Sequence, residues 1–165
     1  MTHASPDPLQ RAASTTAPVS ESARRAWMRV LALASPQALN DACIALGELP
    51  PRQWLRAPQT GMTMVRARAG GTGEQFNLGE MTMTRCALTL DDGVIGMAYV
   101  QGRDARHAEQ AAMLDGLLQS PEWHGRIIDT VIEPLTRARQ AALAHRSRVA
   151  AQTKVDFFTL VRGEN

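Results

Sequence analysis

The sequence predicts an α+β domain: an antiparallel sheet of three or four strands with helices packed mainly on one face, followed by a long C-terminal helical segment. Apolar residues recur at helical spacing before residue 50 and again after residue 104, and they alternate with period two in between. We expect residues 22–165 to form this single domain. Residues 1–21, rich in Ser, Thr, Ala and Pro, are expected to be a disordered tail.

Two helices are predicted ahead of the sheet. The first spans about 22–34, with Ser20 and Ser22 both possible N-caps. Four of its residues share an apolar stripe: Trp27, Val30, Leu31 and Ala34. Ser35 can cap a second helix and Pro36 suits its first position, while Gly47 ends it. The stripe of this second helix is Leu39, Cys43 and Leu46. Cys43 and Cys86 are too few and too far apart for a disulfide framework, so we expect reduced core thiols.

Alternating strands are predicted at 62–69, 81–90 and 94–101. Asp92 and Gly93 form the strongest short-range signal for a two-residue hairpin turn. That turn would set Cys86 opposite Tyr99 and place Arg85 opposite Val100, on a face with small neighbours that could admit a ligand. The alternative interpretation of Arg85 is one charged residue on a solvated face.

Helices return after the last strand. Asp104 can cap a helix from about Ala105 to Gln119, with the stripe His107, Ala111, Leu114 and Leu118. Ser120 and Pro121 repeat the start signal of Ser35 and Pro36. A long helical stretch follows, and Pro134 is expected to kink or break it.

The turn from Gln101 to His107 is the candidate ligand or partner site. Gly102 and the helix start would point unpaired amides at one place, where Arg103 could grip a phosphate and His107 could donate or accept a proton. The alternative interpretation is that Asp104 fills the cap with its own carboxylate and that His107 is a core histidine. Arg85 completes the candidate set.

Two further segments are candidates for a partner interface. GGTGEQFNLG lacks the Lys and Ser or Thr of a P-loop and precedes a strand, so Gly70, Gly71 and Gly73 indicate a bulged connection or close approach by another chain. The C-terminal segment TKVDFFTLVRGEN contributes Phe157, Phe158 and Arg162.

Composition narrows the function classes. The net charge is +2, and Lys154 is the only lysine among 18 basic residues, which favours phosphate or carboxylate contacts or else reflects codon usage. No cysteine or histidine pattern predicts a metal site, no apolar run predicts a membrane span or signal peptide, and no motif predicts nucleic-acid binding. A cytoplasmic protein that binds no cofactor of its own is expected.

Several motifs resemble the PhnG subunit of the bacterial carbon-phosphorus lyase system: GGTGEQF, MTMTR, DDGVIG, VQGRD followed by HAE, and VDFFTLVRG. The resemblance runs from about Trp27 to the C-terminus. It implies a subunit that acts with PhnH, PhnI and PhnL to transfer the ribose triphosphate moiety of ATP to a phosphonate such as methylphosphonate, with release of adenine. PhnJ, also a partner in the core complex, cleaves the carbon-phosphorus bond later.

The resemblance assigns ATP as a substrate of the assembled system and gives this chain no catalytic residue of its own. We therefore expect no catalysis by the isolated chain. Two alternatives stay open: a purely structural scaffold subunit of the same complex, and an arginine-rich nucleic-acid-binding module.

Overall fold

Helices and strands follow one another along residues 19–152, the part of the chain that this computed structural model describes. In chain order they are α1 (Glu21–Leu33), α2 (Pro36–Leu46), β1 (Arg52–Arg68), β2 (Gln75–Leu90), β3 (Ile95–Gln101), α3 (Ala105–Leu117), α4 (Pro121–Ile127) and α5 (Glu133–Gln152). The strands form one antiparallel sheet in the order β1-β2-β3. The predicted α+β class is confirmed, with three strands. Of the predicted tail, only Val19, Ser20 and Glu21 are described, and Glu21 begins α1.

Serine caps start the first two helices, as the sequence predicts. The Ser20 hydroxyl accepts from the Ala23 amide and the Ser35 hydroxyl accepts from the Ala38 amide, each at 3.2 Å. These bonds satisfy amides that have no partner inside the helix. Gly47 ends α2 with φ 80°, a left-handed conformation that favours glycine.

The core lies between one face of the sheet, which we call the inner face, and helices α1 and α3. From Thr84 to the end of β2, and along β3, every second residue is buried there: Thr84, Cys86, Leu88, Leu90, Gly96, Ala98 and Val100. Helix α3 packs so close to β3 that a Cβ on Gly96 would lie 2.1 Å from the Ala112 carbonyl oxygen. Gly96 is therefore required by the close approach of the helix backbone.

A buried carboxylate joins α1, α3 and β3. The carboxylate of Asp115 accepts from the guanidinium of Arg24 at 3.1 and 2.7 Å, from the Trp27 indole at 2.9 Å and from the Met97 amide at 3.0 Å. Both oxygens are satisfied, which makes burial of this charge tolerable. The Met97 amide points away from β2 and donates to Asp115. Asp115 thereby occupies part of the edge of β3 that does not pair with β2.

The predicted register of the β2–β3 hairpin is wrong by one residue. The Leu90 amide donates to Val94 and the Gly93 amide donates to Leu90, both at 2.9 Å, so the loop is the three residues 91–93. Gly93 has φ 82°, which fits a three-residue loop that ends in a left-handed residue. A shift by one residue exchanges the faces of a strand. Arg85 therefore pairs with Tyr99 rather than Val100, and Cys86 pairs with Ala98.

Strands β1 and β2 are longer than predicted, beginning at Arg52 and Gln75 rather than at about 62 and 81. Pro58 and register irregularities between Trp54 and Gln59 hide the alternation at the start of β1. Pairing with β3 ends at Met83 and Gln101. The remainder, residues 62–68 and 75–82, is a two-stranded extension that we call the ribbon.

Pro134 does not end the C-terminal helical segment. A π-helical turn at Ile128–Ile132 links α4 to α5, and α5 continues through Pro134 to Gln152. Proline removes one helical donor, and a local change of hydrogen-bond spacing just before it accommodates that loss. The predicted break at Pro134 is therefore wrong, and the helical irregularity lies in the π-helical turn that precedes it.

Candidate functional site

The second face of the sheet, which we call the outer face, is not covered by any helix within residues 19–152. Its β2 and β3 residues are Met81, Met83, Arg85, Ala87, Thr89, Ile95, Met97, Tyr99 and Gln101, and none is acidic. Arg85 and Tyr99 are cross-strand neighbours, and Gln59 pairs with Arg85 from the other side. Arg85 is thus the charged side chain among these β2 and β3 residues, and Arg56 of β1, which pairs with Ala87, adds a second positive charge on the same face.

A concavity of about 260 Å³ opens on this face. Its lining includes Arg85, Tyr99, Gln59 and Met83, together with Gly61, which has no side chain to fill the space. Within the described residues, Arg85 is exposed and has no carboxylate partner. An unpaired guanidinium beside a phenol can bind a carboxylate or phosphate oxygen through charge-assisted hydrogen bonds. A cavity of this size admits one small anionic group.

The turn after β3 brings Gln101, Gly102 and Arg103 to the end of the sheet. Gly102 has φ 93°, its amide donates to Thr82 at 2.9 Å, and its carbonyl accepts from the Thr84 hydroxyl at 2.7 Å. These bonds fix the turn. Gln101 pairs with Met83 and lies on the outer face, where the next pair is Arg85 with Tyr99.

Asp104 caps α3 with its own side chain. Its carboxylate oxygen accepts from the His107 amide at 2.9 Å, so the first turn of the helix already holds an anion. A second anion at the same amides would meet like-charge repulsion. Arg103 is exposed and forms no ion pair within residues 19–152. It is therefore available to a partner or ligand beside the cap rather than in it.

His107 is a core residue. The residue is 5% exposed, and Nε2 lies 2.8 Å from the Leu31 carbonyl oxygen in the last turn of α1. An N–H at Nε2 that donates to this oxygen satisfies a carbonyl that lacks a helical partner. Of the two interpretations of His107, the described geometry gives it the packing role. The ring is not presented at the surface with Arg103.

The glycines between β1 and β2 have local structural causes. Gly70 and Gly71 have φ of 59° and 80°, and a Cβ on Gly73 would lie 2.8 Å from the Ala69 carbonyl oxygen. They form the tight tip of the ribbon around a short 3-10 turn, Ala69–Gly71. Contact between this tip and a partner stays a prediction. Phe157, Phe158 and Arg162 lie outside the described residues.

Neither cysteine resembles a catalytic nucleophile. Burial raises the pKa of Cys43 to about 11, opposed in part by the charge of Arg106, and burial raises the pKa of Cys86 to about 11. The Cys86 thiol also donates to the Ala108 carbonyl at 3.1 Å. Protonated thiols are weak nucleophiles at neutral pH. Within residues 19–152, no cluster of three His, Cys, Asp or Glu side chains could hold a metal ion, and no helix could cross a bilayer.

Sequence reasoning missed Tyr99, because the assumed two-residue turn assigned it to the buried face. It also missed a groove of about 450 Å³ between α1 and β3, lined in part by Arg25, Met28, Arg29 and Tyr99. Tyr99 lies at the border of this groove and the outer-face concavity. Composition alone does not distinguish a two-residue turn from a three-residue loop here, because a glycine with positive φ at position 93 suits both.

Comparison with known proteins supplies the relationships of the chain. Residues 22–163 match the family model described as phosphonate metabolism protein PhnG. The chain is also similar to a protein of Rhizobium meliloti (strain 1021) named alpha-D-ribose 1-methylphosphonate 5-triphosphate synthase subunit PhnG. The two are 37% identical over 157 residues, which cover 95% of this chain and 100% of the relative.

Proposed function

The chain belongs to the PhnG family, and from that premise we propose that it is a subunit of an alpha-D-ribose 1-methylphosphonate 5-triphosphate synthase. The observation that carries the proposal is the match over the whole length of the Rhizobium relative, whose name specifies a subunit of that synthase. The reaction proposed for the assembly is transfer of the ribose triphosphate moiety of ATP to a phosphonate, with release of adenine. The proposed partners are PhnH, PhnI, PhnJ and PhnL.

Two arginines of the described residues suit a role within such a subunit. They are Arg85, exposed on an outer face without acidic residues, and Arg103, exposed in the neighbouring turn. Both ATP and a phosphonate carry phosphorus oxyanions, the groups that guanidinium binds best. We propose that these arginines face a phosphate-bearing substrate or an acidic surface of a partner.

Co-purification tests membership of the complex. Tagged chain co-expressed with PhnH, PhnI, PhnJ and PhnL of the same organism should elute with them as one species on size exclusion. The Rhizobium relative, tagged in the same way, is the positive control. Elution of this chain alone, while the other subunits assemble with the Rhizobium relative, would contradict the proposal.

A purely structural scaffold is the second candidate, favoured by the exposed ribbon. Arg85→Ala separates the two because Arg85 has no partner within the described residues that its loss would leave unpaired. If Arg85 contacts substrate, the assembled variant should keep its composition and lose about tenfold in substrate affinity. Thr89→Ala, on the same face and strand, is the matched control. Unchanged affinity and turnover with Arg85→Ala would favour the scaffold.

A further inference from the structure

The free edge of the sheet at β1 carries an open segment that nothing in the described chain protects. In β2, the even-numbered residues bond to β3, as Leu90 and Thr82 do. The odd-numbered residues therefore bond to β1, where their partners are Gln59, Gly61, Thr63 and Val65. Thr60, Met62 and Met64 consequently direct their amides and carbonyls away from the sheet. No further strand pairs with this edge within residues 19–152.

Proteins normally protect such edges with charges, prolines or bulges. Here Pro58 and irregular pairing lie on one side, and a register shift between Val65 and Arg66 lies on the other. Between them, the seven residues 59–65 pair regularly with β2 and carry no charge. We call residues 59–65 the open edge. Its length matches one ordinary β-strand.

The side chains around the open edge are also uncovered. Met62 is 66% exposed and Leu78, on the opposite strand of the ribbon, is 63% exposed. A two-stranded ribbon without a third strand or a covering layer is only marginally stable in water. Addition of one strand would bond the outward amides and cover apolar side chains at the same time.

Charge decides what can occupy the open edge. Arg56 precedes it and Arg66 follows it, so both ends are positive. A second copy adding antiparallel to the same edge would bring arginine of one copy close to arginine of the other. The chain's own segment FFTLV lies between Asp156 and Arg162, so one of its ends would also meet like charge. A strand with acidic residues at both ends fits without repulsion.

We infer that the open edge of β1 receives, by β-strand addition, an uncharged extended segment of a partner subunit with acidic residues at both ends. The inference rests on the proposed membership of a multi-subunit synthase and specifies one contact within it. Three outward residues supply the backbone bonds: Thr60, Met62 and Met64. Arg56 and Arg66 fix the register through the acidic ends.

Amide hydrogen exchange, resolved by residue through fragmentation mass spectrometry, tests this contact in the free chain and in the complex with PhnH, PhnI and PhnJ. The amides of Thr60, Met62 and Met64 should exchange at least about tenfold more slowly in the complex. The amides of Gly61 and Thr63, already bonded to β2, serve as internal controls and should change less.

A proline at position 62 tests the same contact by mutation. Met62→Pro removes an amide that faces away from β2, so the existing ladder is retained while the added strand loses a bond. Assembly should weaken at least about tenfold. Met62→Thr, which keeps the amide, should assemble nearly as the natural chain does. If Met62→Pro prevents folding, as circular dichroism would reveal, the exchange measurement on the natural chain still decides.

The possible outcomes separate the two proposals. A complex that forms while the three edge amides exchange as fast as in the free chain would refute strand addition and leave the proposed function standing. Absence of any complex would overturn both. Protection that is already present in the free chain and grows with concentration would identify a second copy as occupant. Protection lost on deletion of residues 153–165 would identify the chain's own segment, and either result overturns the inference.

Discussion

The two faces of the sheet differ in whether helices of the described chain cover them. The inner face is covered by α1 and α3, and the buried carboxylate of Asp115 on α3 has both oxygens bonded within the chain. The outer face and the ribbon carry exposed methionine, tyrosine and arginine side chains with no cover among the described residues. The inner half supplies the stability of the fold. The outer half is built for contacts that the described chain does not itself make.

Residues that serve folding have their polar groups bonded within the chain, whereas candidate recognition residues do not. His107 and Asp104 stand in the motif that first suggested a ligand site, yet both form satisfied bonds inside the chain. Arg85 and Arg103 have no ion-pair partner within residues 19–152. Mutations on the two sides should therefore affect different measurements.

The largest effect is expected on the inner side. Asp115→Ala leaves Arg24 as a partly buried charge without its partner and leaves the Trp27 indole and the Met97 amide unbonded. The free energy of unfolding should fall by about 3 to 5 kcal/mol. Urea denaturation of the isolated chain measures this loss. Asp129→Ala, at an exposed position, is the control and should change it by less than about 0.5 kcal/mol.

The next effect is expected at the turn after β3. Arg103→Ala should weaken ligand or partner binding in the assembled complex about tenfold or more, because charge-assisted hydrogen bonds contribute about 1.5 to 3 kcal/mol. Arg103→Lys should recover only part, because lysine lacks the planar fork. Substrate titration of the complex, together with its composition, gives the answer. Unchanged assembly, affinity and turnover would reduce the motif to a helix cap.

The buried thiols should make the stability of the fold depend on pH. The pKa of Cys43 and of Cys86 is raised by burial from 9.0 to about 11. Above pH 9.0 the unfolded chain loses these protons while the folded chain keeps them, so stability should decline as pH rises from 9.0 towards about 11. Urea denaturation at a series of pH values measures the decline. It should be smaller in the double variant Cys43→Ala, Cys86→Ala, and an equal decline would show that other groups cause it.

Much of the fold could be predicted from sequence because its signals are local. Ser20, Ser35 and Asp104 form the caps that their positions indicate, and the stripe of His107, Ala111, Leu114 and Leu118 is buried. The hairpin register could not be predicted, because Asp92 and Gly93 suit both a two-residue and a three-residue loop. That one-residue difference moved Tyr99 from the predicted core to the candidate site.

The ribbon shows a second limit of sequence reasoning. Its first strand contains Pro58 and irregular pairing, so alternation fails just where β1 begins. Pairing between residues that are 7 to 38 positions apart depends on tertiary contacts rather than on local preference, as for Arg68 with Gln75 and Arg52 with Leu90. The open edge could therefore be recognised only once the sheet order was known.

Release of adenine from ATP in the presence of methylphosphonate tests directly whether the chain acts as a subunit of the synthase. We expect no release by the purified chain alone, release by the complete set of subunits, and loss of that release when this chain is left out. Restoration by adding the chain back completes the control. Adenine release by the purified chain alone, or undiminished release by a set of subunits that lacks it, would contradict the account.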